Sequence, residues 1–409
     1  MGGLVRLPAI LEPLRHRDFR LLWIGQTLSR LGDAAYFIAL PLQVLAIGGT
    51  PVELGIVFSI SAASRVMFLL IGGSVVDRLP RRRVLIATDF VSGSVVAIIA
   101  VLGFSQQLAV EHLYVAAAVF GLAGAFFMPA ISAIIPELVP PEILVSGNAL
   151  RGFSRQAGLV IGPVLAGVII AFAGTPAAFA FDAGTFGLSL TALLFISGRP
   201  ATQLGERGSL FADMREGWRY TVSVQWLWVT IFAFALINAA VFGPSLIGLP
   251  VLIVDVLKAD QSAYGLVVAA LGVGEVAGAV VTAQLRRGRN GTVMYLYVVV
   301  EGLAVAAFAT VPPIPVMLLL AAVEGYCIMG FTVLWDSALQ QQVPRELLGR
   351  VTSIDQFGAI LMGPITPIVF GLLVTFLGAP GVFLAGGALA SLLCLLALAL
   401  PSIRALRIF

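Results

Sequence analysis

Apolar runs, each long enough to cross a bilayer, follow one another along nearly the whole chain. A membrane-spanning helix needs about 20 predominantly apolar residues. Twelve stretches qualify: 19–45, 51–76, 83–104, 112–135, 150–174, 177–197, 226–248, 263–284, 291–311, 314–338, 350–377 and 380–401. Of the 409 residues, 59% are hydrophobic and 11% charged, whereas a soluble domain carries about 25% charged residues. Most of this apolar surface must therefore face lipid. Lipid cannot satisfy backbone N–H and C=O groups, so such spans are helices that bond internally. The expected fold class is an all-α membrane protein.

The short connectors encode orientation. Arg15, Arg17 and Arg20 precede or begin the first span, Arg78, Arg81, Arg82 and Arg83 follow the second, and Arg199, Arg207, Arg215 and Arg219 separate the sixth from the seventh. Arg286, Arg287 and Arg289 follow the eighth, Arg345 and Arg350 join the tenth to the eleventh, and Arg404 and Arg407 lie in the tail. The alternate connectors hold one basic residue, Lys258. By the positive-inside rule both termini are expected in the cytoplasm. The basic first 18 residues lead into a run too long for the core of a cleaved signal peptide, so it reads as a retained first span. Lys258 is the only lysine among 24 basic residues, a coding bias that points to a high-GC bacterial gene and a bacterial inner membrane. The net charge of +3 thus records topology, and no nucleic-acid partner is expected.

The longest polar stretch, 198–225, divides a first bundle, 1–197, from a second, 226–409. Within it, residues Leu210 to Tyr220 form an amphipathic piece that would lie on the cytoplasmic interface, with Trp218 and Tyr220 at headgroup depth. The halves repeat. Val139-Pro140-Pro141-Glu142-Ile143-Leu144 returns as Val343-Pro344-Arg345-Glu346-Leu347-Leu348, an offset of 204, and Gly55 matches Gly265 at an offset of 210. Such a repeat predicts two pseudo-symmetric six-helix bundles with a substrate path between them near the midplane. A six-plus-six bundle is complete as a monomer, and its obligatory partner is the lipid bilayer.

Several function classes lack their parts. The two cysteines, Cys327 and Cys394, sit in apolar runs, and the two histidines, His16 and His112, lie near span ends. Neither a metal site nor a cofactor site is expected. Lys258 has no glycine-rich phosphate cradle before it, which argues against an ATP-driven pump, and no nucleophile–base set supports an enzyme.

After the second span the chain reads Gly73-Ser74-Val75-Val76-Asp77-Arg78-Leu79-Pro80-Arg81-Arg82-Arg83. This resembles the signature of the major facilitator superfamily, with Pro80 where the family usually has glycine. Asp77 at a span end can face the positive N-terminus of span 11, near Arg350. The resemblance implies that Gly73, Asp77, Arg78 and Arg82 form a conformational latch that stabilises the outward-facing state. Gly158, Gly162, Pro163 and Gly167 in span 5 are similar to the antiporter motif of exporters in that superfamily, with Ala166 replacing one glycine. Small residues at this spacing also serve ordinary helix packing. Arg17-Asp18-Phe19-Arg20, Ser29-Arg30-Leu31-Gly32-Asp33, Phe127-Met128-Pro129-Ala130 and Leu348-Gly349-Arg350-Val351 resemble the branch that holds macrolide-type efflux proteins and the enterobactin exporter.

Charges inside spans carry the mechanistic expectations. Arg30 and Asp33, three apart, share a helical face and could pair. Arg65 lies mid-span, and the 210 offset places Glu275 at the equivalent point of the other half, so a pair across the cavity is one reading. Glu324 falls in mid-span 10, and the resemblance implies that spans 1, 4, 7 and 10 line the cavity. A carboxyl in a partly dry cavity can take up a proton and release it when water arrives. Glu324, Glu275 and Asp33 are therefore the proton-coupling candidates. Arg30, Arg65, Asn238 and Phe234 are the substrate-cavity candidates. Glu301 reads either as a structural or lipid-edge group or as a coupling group, while Asp182 and Asp89 could be structural partners of arginines instead of substrate contacts. The function expected is export of a small molecule, a drug, antibiotic, siderophore or other metabolite, by proton antiport with alternating access. An importer or a lipid translocator of the same fold is the alternative.

Overall fold

A computed structural model describes residues 9–197, 210–285 and 290–407, and among these the chain forms helices and no strand. Arg199, Arg207, Arg286, Arg287 and Arg289, and the side chain of Asp77, lie outside the described residues. The principal helices are α1 (Arg17–Ala46), α2 (Pro51–Arg78), α3 (Arg81–Phe104), α4 (Val110–Leu138), α5 (Leu144–Leu194) and α6 (Leu210–Ser223). They continue as α7 (Gln225–Val256), α8 (Ser262–Thr282), α9 (Asn290–Ala307), α10 (Ile314–Gln342), α11 (Arg345–Met362) and α12 (Thr366–Leu398). Among the described residues, nine helices are long and apolar enough to cross a membrane. The charged helices α1 and α11 are not among the nine.

Spans 5 and 6 form one helical run, α5, bent where Gly174 takes φ 77 and ψ 173. Span 12 likewise joins the end of span 11 in α12, bent at Gly378 with φ 72 and ψ 166. Glycine alone enters this backbone region cheaply. A proline two residues on, Pro176 or Pro380, has no N–H and starts the returning helix without a lost bond. The two bends lie 204 residues apart, the offset already visible in the Val-Pro repeat. Span 11 differs from the expected continuous run 350–377: α11 stops at Met362 and α12 starts at Thr366. Gly363 and Pro364 explain the break, since one favours a turn and the other removes a donor.

The chain divides into two compact units. One runs to Gly48 and from Ile60 through α5; the other takes Gly49–Ser59 and everything from α6 onward. In the first unit, α4 lays Gly121 on the Ser61 carbonyl of α2; in the second, α10 lays Gly325 on the Leu271 carbonyl of α8. These contacts carry the 204 and 210 offsets of the sequence. No side chain fits at either glycine, so backbone approach sets the helix spacing.

Aromatic rings fill each unit. Tyr36 of α1 stacks on Phe120 of α4 at 4.6 Å and meets Phe179 of α5 edge-on at 5.7 Å. In the second unit Phe234 of α7 stacks on Phe331 of α10 at 3.9 Å, and Phe331 on Trp335 at 6.2 Å. The linker helix α6 packs on α11: Gly217 lies against Arg350, whose Nη1 reaches Glu216 Oε2 at 2.5 Å. Trp218, 48% exposed, meets Phe232 edge-on, as an interfacial aromatic would. Before α8, Asp260 Oδ1 accepts the Ser262 N–H at 2.8 Å, and the Ser262 bonds hold that carboxyl below the usual range. This cap is in place above the ordinary carboxylate pKa and is lost as pH falls through the lowered value.

Gly174→Ala and Gly378→Ala each force a Cβ into the left-handed region, at a cost of about 1–3 kcal/mol. Both variants should melt several degrees below wild type when unfolding is followed by size-exclusion fluorescence in detergent. Gly184→Ala, where a Cβ meets no described atom within 4 Å, should melt with wild type.

Candidate functional site

Exposure sorts the ionisable side chains within the spans. Asp33 of α1 and Arg65 of α2 are exposed, Arg30 and Glu275 are half-buried, and Glu324, Glu301, Asp182 and Asp89 are buried. A charge at membrane depth that does not pack against protein must look into a water-filled space, because hydrocarbon would cost several kcal/mol. Asp33 and Arg65 therefore need water or a polar partner at that depth. Asn238 of α7 is also exposed and makes no hydrogen bond to a described residue. Phe234 is different: it is 8% exposed and held in the ring cluster with Phe331 and Tyr295, which makes it a packing residue in this structure.

In the first unit, Arg30 and Arg151 line a small space of about 30 Å³ together with Trp23, Gln26, Thr27 and Ser154. Arg155, one turn beyond Arg151 on α5, lies within electrostatic reach of both. Among the described residues no ion pair within 4 Å joins Arg30 to Asp33, so the expected intrahelical pair does not form. Gly158 and Gly162 of the antiporter-like motif sit against Arg30 and Ala34, and Pro163 and Gly167 are buried in the same helix. The motif therefore sets the approach of α5 to the charged stretch of α1.

The buried aspartates of this unit do not bond arginines, contrary to the expectation. Asp89 Oδ2 accepts the Ser189 hydroxyl at 2.7 Å and the Gln26 amide at 3.5 Å, while Gln26 also donates to Ser189 Oγ at 2.9 Å. Asp182 is fully buried beside Gly32, and its Oδ1 accepts from Thr185 Oγ1 at 3.5 Å. Gln26, Asp89 and Ser189 thus join α1, α3 and the second half of α5 by polar contacts.

In the second unit Glu324, 3% exposed, accepts the Ser245 hydroxyl at 3.0 Å. Ser245 belongs to a π-helical stretch of α7, Pro244–Gly248, followed by a second one, Leu252–Val256. Such wide turns recur at functional sites because they displace a side chain from the regular helical face. Gly325 brings α10 against the backbone at Glu275 of α8, so these two carboxyls occupy neighbouring helices. Glu301 of α9 is 7% exposed and lies within electrostatic reach of Glu324. Sequence reasoning did not find Ser245, Arg151 or Arg155. Pro244 inside an apolar run and the four-residue spacing of the two arginines were the available signals.

The family model of the transmembrane secretion effectors matches residues 9–408. The chain belongs to that family of the major facilitator superfamily. It is 27% identical over 391 residues to the multidrug efflux pump Tap of Mycolicibacterium fortuitum, covering 92% of this chain and 93% of that protein. It is 24% identical over 374 residues to the enterobactin exporter EntS of Salmonella choleraesuis, covering 85% of each. Among solved structures it resembles a bacterial homologue of the iron transporter ferroportin, with TM-score 0.73, 18% identity and 93% and 98% of the two chains covered. The nucleoside transporter NupG gives TM-score 0.68, 14% identity and 93% and 98% coverage. These structures show the fold alone. The protein is a multi-pass membrane transporter for small molecules, and it is not an enzyme.

The superfamily signature of this transporter divides its arginines among different tasks. Arg81 is 4% exposed and pairs with Glu137 of α4 at 3.1 Å. Arg82 donates from Nε to the Leu193 carbonyl at 2.8 Å and from Nη2 to the Leu194 carbonyl at 2.7 Å, so it caps the end of α5. Arg78 and Arg83 are exposed and make no hydrogen bond or ion pair with a described residue. A Cβ on Gly73 would meet no described atom within 4 Å.

Arg82→Gln should lower the melting temperature by a few degrees, since charge-assisted hydrogen bonds contribute about 1.5–3 kcal/mol before allowance for partial exposure. Arg83→Gln should leave it unchanged in lipid-free detergent. Equal melting of the two variants would remove the capping role of Arg82.

Proposed function

We propose that this transporter exports an amphipathic small molecule, such as a drug, antibiotic or siderophore, across a bacterial inner membrane by proton antiport. Both termini face the cytoplasm in this reading, as the arginine distribution requires. The efflux roles in the names of the Tap and EntS relatives support export. Glu324 is the proton carrier, and the observation that carries this assignment is its bond to Ser245 on the π-helical stretch of α7.

An ionised carboxyl accepts a hydroxyl bond more strongly than a neutral one. Loading a proton on Glu324 therefore loosens Ser245, and unloading tightens it. Charge at one atom is thereby coupled to the shape of α7, the helix that also carries Asn238. Glu275 and Asp33 are secondary proton sites. In this reading Asp77 serves as the latch that favours the outward-facing state. One proton moving through about 100 mV supplies about 2.3 kcal/mol, enough for a substrate gradient of roughly 40-fold without ATP.

Proteoliposomes with an internal pH dye test this with macrolides, siderophores and cationic dyes. Wild type should move protons with at least one compound, and Glu324→Gln should lose that flux by at least about tenfold. Ser245→Ala should transport with an altered pH profile. Proton flux that survives Glu324→Gln shifts the role to Glu275 or Asp33. Uptake that runs with the proton gradient instead of against it would make the protein an importer.

A further inference from the structure

An apolar groove of about 440 Å³ lies between the inner ends of α2, α3 and α4. Its walls include Val75, Val84, Ala87, Val91, Val119 and Phe126. The volume falls within the range of about 300–1,000 Å³ that suits a small-molecule ligand. Two of its lining residues, Leu79 and Val91, are 47% and 40% exposed, so the groove opens at the protein surface. The lining contains one hydroxyl, Thr88, which donates to the Val84 and Leu85 carbonyls at 3.0 Å and offers little to a guest. Its one charged lining residue, Arg83, stands near the cytoplasmic start of α3.

Depth identifies the occupant. From Arg83 to Val91 the helix rises about 12 Å at 1.5 Å per residue. One leaflet of the hydrocarbon core is about 15 Å deep. The α4 wall runs antiparallel, so Phe126 lies toward the arginine end and Val119 toward the midplane. The groove is therefore one leaflet deep, apolar along its length, and headed by a cation at the level of the inner headgroups. Arg81 and Arg82 beside it are engaged by Glu137 and by the end of α5, while Arg83 has no described protein partner.

We infer that this groove is a binding site for one anionic phospholipid of the cytoplasmic leaflet, with an acyl chain between α2, α3 and α4 and its phosphate on Arg83. The lipid would hold together the inner ends of the helices that carry the superfamily signature. The site is separate from the buried carboxyl of the proposed transport mechanism and rests only on the orientation given in that reading.

Full-length protein stripped of lipid in detergent, then offered equal amounts of dioleoyl phosphatidylglycerol and dioleoyl phosphatidylcholine, gives the test by native mass spectrometry. Wild type should retain the anionic lipid about fivefold better, since one arginine near a headgroup contributes about 1 kcal/mol. Arg83→Gln should bring the two lipids to parity. Ala87→Trp, which fills the groove from an exposed position, should lower retention of both; Val119→Phe repeats the measurement should Ala87→Trp fold poorly. Excess inorganic phosphate should leave the lipid bound. Equal retention by wild type, a preference that survives Arg83→Gln, or displacement by phosphate would each overturn the site. Competitive displacement by ethidium with no dependence on Arg83 would do the same and make the groove a portal for exported compounds.

Discussion

An ionised side chain at the centre of a transmembrane helix costs about 2.5–3.5 kcal/mol even on the most lenient scale, and this penalty governs where the charges of the chain lie. A charge in this chain has one of several solutions. It pairs, as Arg81 does with Glu137; it caps orphan carbonyls, as Arg82 does at the end of α5; or it faces space that protein does not fill, as Asp33 and Arg65 do. Buried carboxyls bound by hydroxyls, Glu324 to Ser245 and Asp89 to Ser189, form a fourth arrangement. A hydroxyl stabilises a carboxyl in either charge state, whereas an arginine would hold it ionised. A group that must gain and lose a proton is better served by serine.

The backbone obeys a parallel constraint. With no water to satisfy a freed N–H or C=O, turns at membrane depth and at its edges need residues that lose nothing by turning. Gly174 and Gly378 supply the left-handed conformation, and Pro176 and Pro380 supply helix starts that lack the donor. Distortion inside a span is likewise tied to proline. The wide turns of α7 begin at Pro244, and the gap between α11 and α12 contains Pro364.

The membrane class and most of the apolar spans were legible because they rest on additive properties, run length and average hydropathy. Whatever depends on a distant partner was not. Ser245 and Glu324 are 79 residues apart, Arg82 and Leu193 are 111 apart, and nothing local marks either pair. Arg82 shows the difficulty well. A cluster of four arginines reads as one topological signal, yet neighbouring members pair, cap a helix or stand open. Phe234 is a converse case, since an aromatic residue on a cavity-lining span can belong equally to the packing between spans, and only the stacking on Phe331 decides.

The repeat shows which parts of such a chain are free to change. Gly121 and Gly325 are equivalent, and both remain glycine because a carbonyl of the neighbouring helix, from Ser61 or Leu271, lies where a side chain would stand. Four residues beyond those carbonyls, Arg65 and Glu275 are also equivalent, and they carry opposite charges. Backbone contact keeps the first pair glycine, whereas the second pair, exposed at Arg65 and half-buried at Glu275, differs in charge. The two halves also differ in which charges approach one another: Arg30, Arg151 and Arg155 lie within electrostatic reach in one, and Glu301 and Glu324 in the other.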